Sequence, residues 1–224
     1  MTMQNIDNAG SADMNDLSLS ALAKNLAQGF GILIFLSVVL GLVYPAATTI
    51  AAQTALPHQA NGSPVFYEGR PAGSALIGQD WTDTGLFEGR PSATGCDPKR
   101  SGASNLSVSS PDYQAAVKSR IARWQSLTGS AAPVPADLAA ASGSGLDPDI
   151  TVEAALYQVP YVSKMTGLSR QALEAMIEAH AREDFLSFAE SPIVNVLELN
   201  LAAAKAAGWS FEEIAARKKA QAEE

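Results

Sequence analysis

The chain has 224 residues, 47% of them apolar, a formal net charge of −8 and a single cysteine. The acidic balance excludes nucleic acid as a main partner, because nothing neutralises a run of phosphates. One cysteine excludes an intrachain disulfide and any cysteine-based metal spacing. Residues 1–24 open polar and without periodicity, and read as a disordered cytoplasmic tail. Residues 25–50 hold an uncharged run centred on Phe30–Ala47. Roughly 20 mostly apolar helical residues cross a hydrocarbon core, and this run meets that length. A cleaved signal peptide is the competing reading, but the run exceeds the usual h-region and a long segment precedes it, so a retained membrane helix is expected. Lys24 is the nearest basic residue to either flank, and the next is Arg70. The positive-inside bias then puts the N-terminus in the cytoplasm and the following domain outside it.

Residues 51–208 read as one α+β domain with strands early and helices late. The short apolar pieces Val65-Phe-Tyr67, Ala75-Leu-Ile77 and Leu86-Phe87 lie between Gly, Ser, Pro and Asp clusters, as short strands do. From Ser110 the period turns helical. Ser110 and Pro111 suit an N-cap and first helical position, and Tyr113, Val117, Ile121 and Trp124 share a face. A short helix is expected near Ala136–Ala141, and another helix from Thr151, with Pro160 expected to kink or break it. Ser169 caps a helix carrying Leu173, Met176 and Ile177, and Phe185–Phe188 is either a short strand or a helical turn. Asn195 and Glu198 resemble a capping box for a helix ended by Gly208. Residues 209–224 form a charged helical extension.

Catalytic chemistry is sparse. No phosphate-cradling Gly-x-x-x-x-Gly-Lys loop or dinucleotide glycine fingerprint occurs. Two histidines, His58 and His180, do not make a hydrolytic zinc site. His180 with Asp184 one turn on is the one dyad that can be drawn, and it defines the rival reading: a membrane-tethered periplasmic hydrolase. More prominent are loops of small hydrogen-bonding residues: Gly73–Gln79, Gly89–Thr94, Ser101–Leu106 and Ala141–Asp147. These are either turn chemistry or, grouped at one end of a scaffold, a recognition surface.

In this order behind one span, and with Val43-Tyr44-Pro45, Gln59–Gly62, Tyr157-Gln-Val-Pro160 and Pro192–Asn200, these loops resemble the C subunit of the Kdp potassium-transporting P-type ATPase. The resemblance implies an accessory subunit with no catalytic residue, metal or cofactor of its own; K+ is carried by a channel-like subunit and ATP is hydrolysed by a P-type subunit. It implies a bacterial inner-membrane complex and one of two roles. One is a catalytic chaperone that raises ATP affinity; the other is an assembly or entrance element on the channel-like subunit. Gln79, Arg90, Ser104, Asn105 and Asp147 are the expected partner-facing residues. The family's nucleotide-related Leu-Ser-x-x-Gln segment maps onto Leu168–Ala172, assigning Ser169 and Gln171, with the Gln out of step. Tyr161 stands where the family commonly has Arg.

Overall fold

A helical rod begins at Leu19, the first residue described by the computed structural model, which covers residues 19–183 and 191–222. Helix α1 (Leu19–Val38) passes through a π-helical turn (Val39–Val43) into α2 (Tyr44–Ala55). The rod spans 37 residues, none of them buried within the protein. At about 1.5 Å per residue this exceeds the roughly 30 Å of a hydrocarbon core. Phe30, Ile32, Leu33, Phe35 and Leu40 are all exposed on it. The helix is thus long and apolar enough to cross a membrane, and it extends beyond residues 25–50 at both ends. The π turn has a local cause. Pro45 has no N–H and its ring crowds the carbonyl one turn back. Widening the preceding turn, with the Tyr44 N–H on the Val39 carbonyl, accommodates it. A single-turn helix, α3 (Pro57–Ala60), follows.

The chain divides into two compact units, Met1–Ala60 and Asn61–Glu224. The second is mixed α+β, as expected. Its strands form two antiparallel pairs among the described residues. β1 (Pro64–Tyr67) pairs with β2 (Arg70–Ser74), with a register shift between Val65 and Phe66. Farther along come α4 (Pro111–Thr128), α5 (Ala136–Ala139) and β3 (Asp149–Thr151). Then follow α6 (Val152–Thr166), α7 (Arg170–His180), β4 (Ile193–Asn195), α8 (Val196–Ala206) and α9 (Phe211–Ala222). β3 pairs with β4 through Ile150 opposite Val194. Each of these strands runs directly into a helix, and because the pair is antiparallel the starts of α6 and α8 lie at its opposite ends.

The helix ends follow local chemistry. The Thr151, Ser169 and Asn195 side chains accept from the backbone N–H three residues on and cap α6, α7 and α8. Ser110 holds the N-cap position of α4, but its hydroxyl makes no capping bond. Gly129 and Gly167 terminate α4 and α6 with positive φ of 66° and 77°. Pro160 does not break α6. The carbonyl it deprives of a donor belongs to Leu156, an exposed position that water reaches. The core joins α6, α7 and α8 through Ala154, Val159, Val162, Leu173, Ile177, Leu199 and Ala203. Trp81, Leu86 and Phe87 from the loops and Trp124 from α4 pack into the same cluster. Asp184 and Phe185–Phe188 lie outside the described residues, as do residues 1–18 of the tail.

Two of the three expected early strands differ. Ala75–Ile77 is a turn after β2, and Leu86-Phe87 lies in no sheet, with Leu86 in a bend. Its backbone polar groups are paired by side chains instead. The Phe87 N–H donates to Asn200 Oδ1 at 2.8 Å, and Asn200 Nδ2 donates to the Phe87 carbonyl at 2.8 Å. The Glu88 N–H donates to Gln158 Oε1 at 2.8 Å, and Gln158 Nε2 donates to the Glu88 carbonyl at 3.0 Å. Two buried amides, one on α6 and one on α8, thus take the place of neighbouring strands.

Candidate functional site

The small-residue loops converge. The Gly78 N–H donates to the Leu146 carbonyl at 2.8 Å, joining Gly73–Gln79 to Ala141–Asp147. The Gly102 N–H donates to the Ser144 carbonyl at 2.7 Å, and the Ser142 N–H to the Pro91 carbonyl at 2.9 Å. Ser92 sits at the junction. Its hydroxyl donates to the Gly145 carbonyl at 2.7 Å and accepts from the Thr94 and Cys96 N–H groups at 3.1 and 3.0 Å. Four segments separated by up to seventy residues of sequence therefore form one hydrogen-bonded platform.

Close approach explains two of its glycines. A Cβ on Gly78 would lie 2.4 Å from the Asp147 carbonyl oxygen. At Gly145, where φ is +69°, a Cβ would lie 2.7 Å from the Gly102 carbonyl oxygen. Gly78→Ala should lower stability by about 1–3 kcal/mol through this backbone collision; a urea midpoint equal to wild type would contradict the platform geometry.

Of the sequence-predicted residues, the fold brings Gln79, Arg90 and Asp147 onto this platform. Arg90 donates to Asp147 at 3.1 Å, and its Nε lies 3.8 Å from Asp137. Gln79 Nε2 donates to the Ala72 carbonyl at 3.0 Å, and Lys218 Nζ donates to Gln79 Oε1. These three groups are half-buried and hold the platform together. Ser104 and Asn105 are exposed on the same platform's Ser101–Leu106 loop, with Asn105 at a positive φ of 54°. Ser169 and Gln171 are exposed at the start of α7, and the Ser169 hydroxyl accepts from the Ala172 N–H at 3.2 Å as its cap. The His180 Nδ1 is bound to the Met176 carbonyl at 2.8 Å, one turn back on its own helix. A carbonyl only accepts, so that nitrogen carries the proton, and no serine or cysteine bonds the ring among the described residues.

The platform's Gln79, Arg90 and Ser92 also line a cavity of about 280 Å³, together with Trp81, Glu88, Cys96, Arg120 and Arg123 among others. Glu88 and Arg123 form a doubly hydrogen-bonded pair at 2.7 and 2.8 Å, and Arg123 also reaches Asp83 at 2.7 Å. Burial pushes the Glu88 carboxyl above its ordinary range, against the opposing hydrogen bond and charge of Arg123. Burial also raises the Cys96 thiol, which keeps it protonated and a poor nucleophile. Lys218 of α9 stands over Trp81, its Nζ 3.9 Å from the ring centroid, and desolvation lowers its pKa to about 8. Glu88, Arg123, Trp81 and Lys218 are structurally central and carry no mark in the sequence, while Gln158 and Asn200 lie within the segments Tyr157–Pro160 and Pro192–Asn200 with no role assigned there. A signal existed for the two amides: Gln158 sits between Ala154 and Val162, and Asn200 between Val196 and Ala204, each on an otherwise apolar helical stripe.

Comparison with known proteins agrees with the loop pattern. The family described as K+-transporting ATPase, c chain (KdpC) matches residues 26–205. A potassium-transporting ATPase KdpC subunit from Pectobacterium atrosepticum is 44% identical over 182 residues, covering 80% of this chain and 95% of the relative. The KdpC subunits of Shigella dysenteriae serotype 1 and Escherichia coli strain SE11 are 41% and 40% identical, each over 80% of this chain and 96% of the relative. The match includes the platform and both clamp amides, and it stops before α9. The chain belongs to the KdpC family, the c chain of the K+-transporting ATPase.

Proposed function

We propose that the chain is a non-catalytic accessory subunit of an ATP-driven potassium importer in a bacterial inner membrane. In this reading the rod Leu19–Ala55 anchors it, and the unit from Asn61 onward lies outside the cytoplasm. The four-loop platform docks on the channel-like potassium-translocating subunit, while a P-type subunit hydrolyses ATP on the other side. Any change in ATP affinity then travels as coupling free energy through the complex, because a domain outside the membrane does not touch cytosolic nucleotide. The observation that carries the reading is the platform itself. Four distant segments are locked rigidly together by backbone and hydroxyl bonds, which preorganises a surface for a partner at little ordering cost.

The test is copurification from detergent with a tagged chain. Wild type should bring both the channel-like and the P-type subunits, and Ser104→Trp, at an exposed platform position, should weaken recovery about tenfold or more without unfolding the domain. Undiminished recovery would remove the platform from the interface. Protease added to spheroplasts should digest the domain; full protection would reverse the orientation. Saturable ATP binding by the purified chain, lost on mutating Ser169 or Gln171, would favour the direct catalytic-chaperone role instead.

A further inference from the structure

α9 is an addition to the family's core. It begins at Phe211, beyond the residues 26–205 that the family matches, and the alignments already use 95–96% of the relatives' lengths. What it does in this chain is cover one side of the platform. Lys218 lies over the Trp81 ring, 3.9 Å from its centroid, and donates to Gln79 Oε1 at the end of the Gly73–Gln79 loop. Arg217 stacks on Trp209, 3.8 Å from that ring's centroid, and donates to the Thr84 carbonyl at 3.2 Å. The platform does not need these contacts. The bonds of Gly78 to Leu146 and of Ser92 to Gly145 join the loops without any residue of α9.

The hold of α9 on its seat is slight. Ile214 is its one buried residue among those described, and Phe211 is half-buried. The Arg70–Glu212 pair joins side chains that are 56% and 68% exposed, and a pair so placed contributes little. A 12-residue helix is marginal by itself in water, so α9 keeps its form by docking. Lys218 works against that docking. Burial lowers its pKa to about 8, although Asp80 and Cys96 nearby favour the ammonium. At neutral pH the seat therefore holds a cation that water would solvate better, with a neutral amide as its hydrogen-bond acceptor.

From this we infer that α9 is a detachable strap that competes with the partner subunit for the Gln79–Trp81 side of the platform. Docked, it covers Gln79 and the face of Trp81; released, it opens both while the loops stay joined. The inference rests on the docking reading above and adds to it a control built into this chain. A partner that binds only the open form sees its affinity reduced by the fraction of molecules that are open, so loosening the strap strengthens assembly.

The experiment pairs two measurements on the full chain: hydrogen exchange of peptides from 211–222 in detergent, and copurification with the tagged chain expressed beside its partners. Ile214→Asp puts a carboxylate at the one buried position of α9, and Lys218→Glu sets a carboxylate near Asp80. Each should speed exchange of the α9 amides about tenfold or more while peptides from α6 and α8 keep wild-type rates. Each should also raise recovery of the channel-like subunit about threefold or more. Lys218 is only half-buried, so its variant keeps the test open if Ile214→Asp disturbs the core. Unchanged α9 exchange in both variants would overturn the strap. Faster exchange with partner recovery equal to or below wild type would overturn the competition and leave the docking reading standing. Recovery of no partner by wild type or by either variant would overturn both together.

Discussion

Asn200→Leu should destabilise the domain by about 2–6 kcal/mol, with little change in the slope of the urea transition followed by tryptophan fluorescence. Asn200 is fully buried, and both ends of its amide bond the backbone of Phe87. Leucine fills much the same volume but leaves the Phe87 N–H and carbonyl buried and unpaired, at about 1–3 kcal/mol for each group. Gln158→Leu should have a comparable effect through Glu88. Because the two amides serve adjacent residues of one segment, the double variant should lose less than the sum. A loss below about 1 kcal/mol for Asn200→Leu would mean the segment finds other partners, and the clamp would not be what holds it.

The second large effect is expected at Arg123. Arg123→Met removes the only cation hydrogen-bonded to the Glu88 carboxylate among the described residues, and the Glu88 side chain is 8% exposed. Breaking a buried pair from one side costs about 3–5 kcal/mol; because Arg123 itself is 32% exposed, about 2–4 kcal/mol is expected at neutral pH. The pH dependence has a definite sign. Burial raises the folded-state pKa of Glu88 above its unfolded value. Its contribution therefore favours folding fully below the unfolded carboxylate pKa, and is lost as pH rises through the folded value. Arg123 supplies the hydrogen bond and charge that oppose the rise, so the variant's folded pKa climbs further. The deficit against wild type should shrink as pH falls from 7 into the range where Glu88 protonates. Adding Glu88→Gln to the variant should recover much of the loss at neutral pH. A deficit that widens on acidification would show that Glu88 is not the group left stranded.

Both predictions concern a stretch where reading the sequence and observing the fold part company. Leu86-Phe87 has the apolar character of a short strand flanked by glycine and acidic residues, and its backbone does have strand-like pairing. The partners are side chains 70 and 113 residues away, however, and no local pattern encodes that. Pro160 is a similar case. Its effect on α6 depends on whether the orphaned carbonyl meets water, which is a property of tertiary exposure and not of the tripeptide around it. By contrast, the caps at Ser169 and Asn195 and the stop at Gly208 were legible locally, because each is satisfied within about one helical turn.

The platform was legible in composition but not in arrangement. Glycine, serine and asparagine marked four loops, yet turn chemistry and recognition surface predict the same residues. Only the bonds of Gly78 to Leu146, Gly102 to Ser144 and Ser142 to Pro91 show that the loops meet. They also sort the residues chosen from sequence: Gln79, Arg90 and Asp147 hold the surface from within, while Ser104 and Asn105 are available on it.

By itself the sequence determined the apolar run, the mixed α+β character of the second unit, the caps at Ser169 and Asn195 and membership of the family, because each depends on short-range pattern or on residues in register along the chain. Tertiary structure alone decided that Gln158 and Asn200 act as a clamp, that Glu88 is paired with Arg123, and that α9 returns Lys218 to Trp81. The physical reason is range. A buried polar group must find its partner wherever the fold brings one, and the sequence separation of the two carries no mark of their meeting.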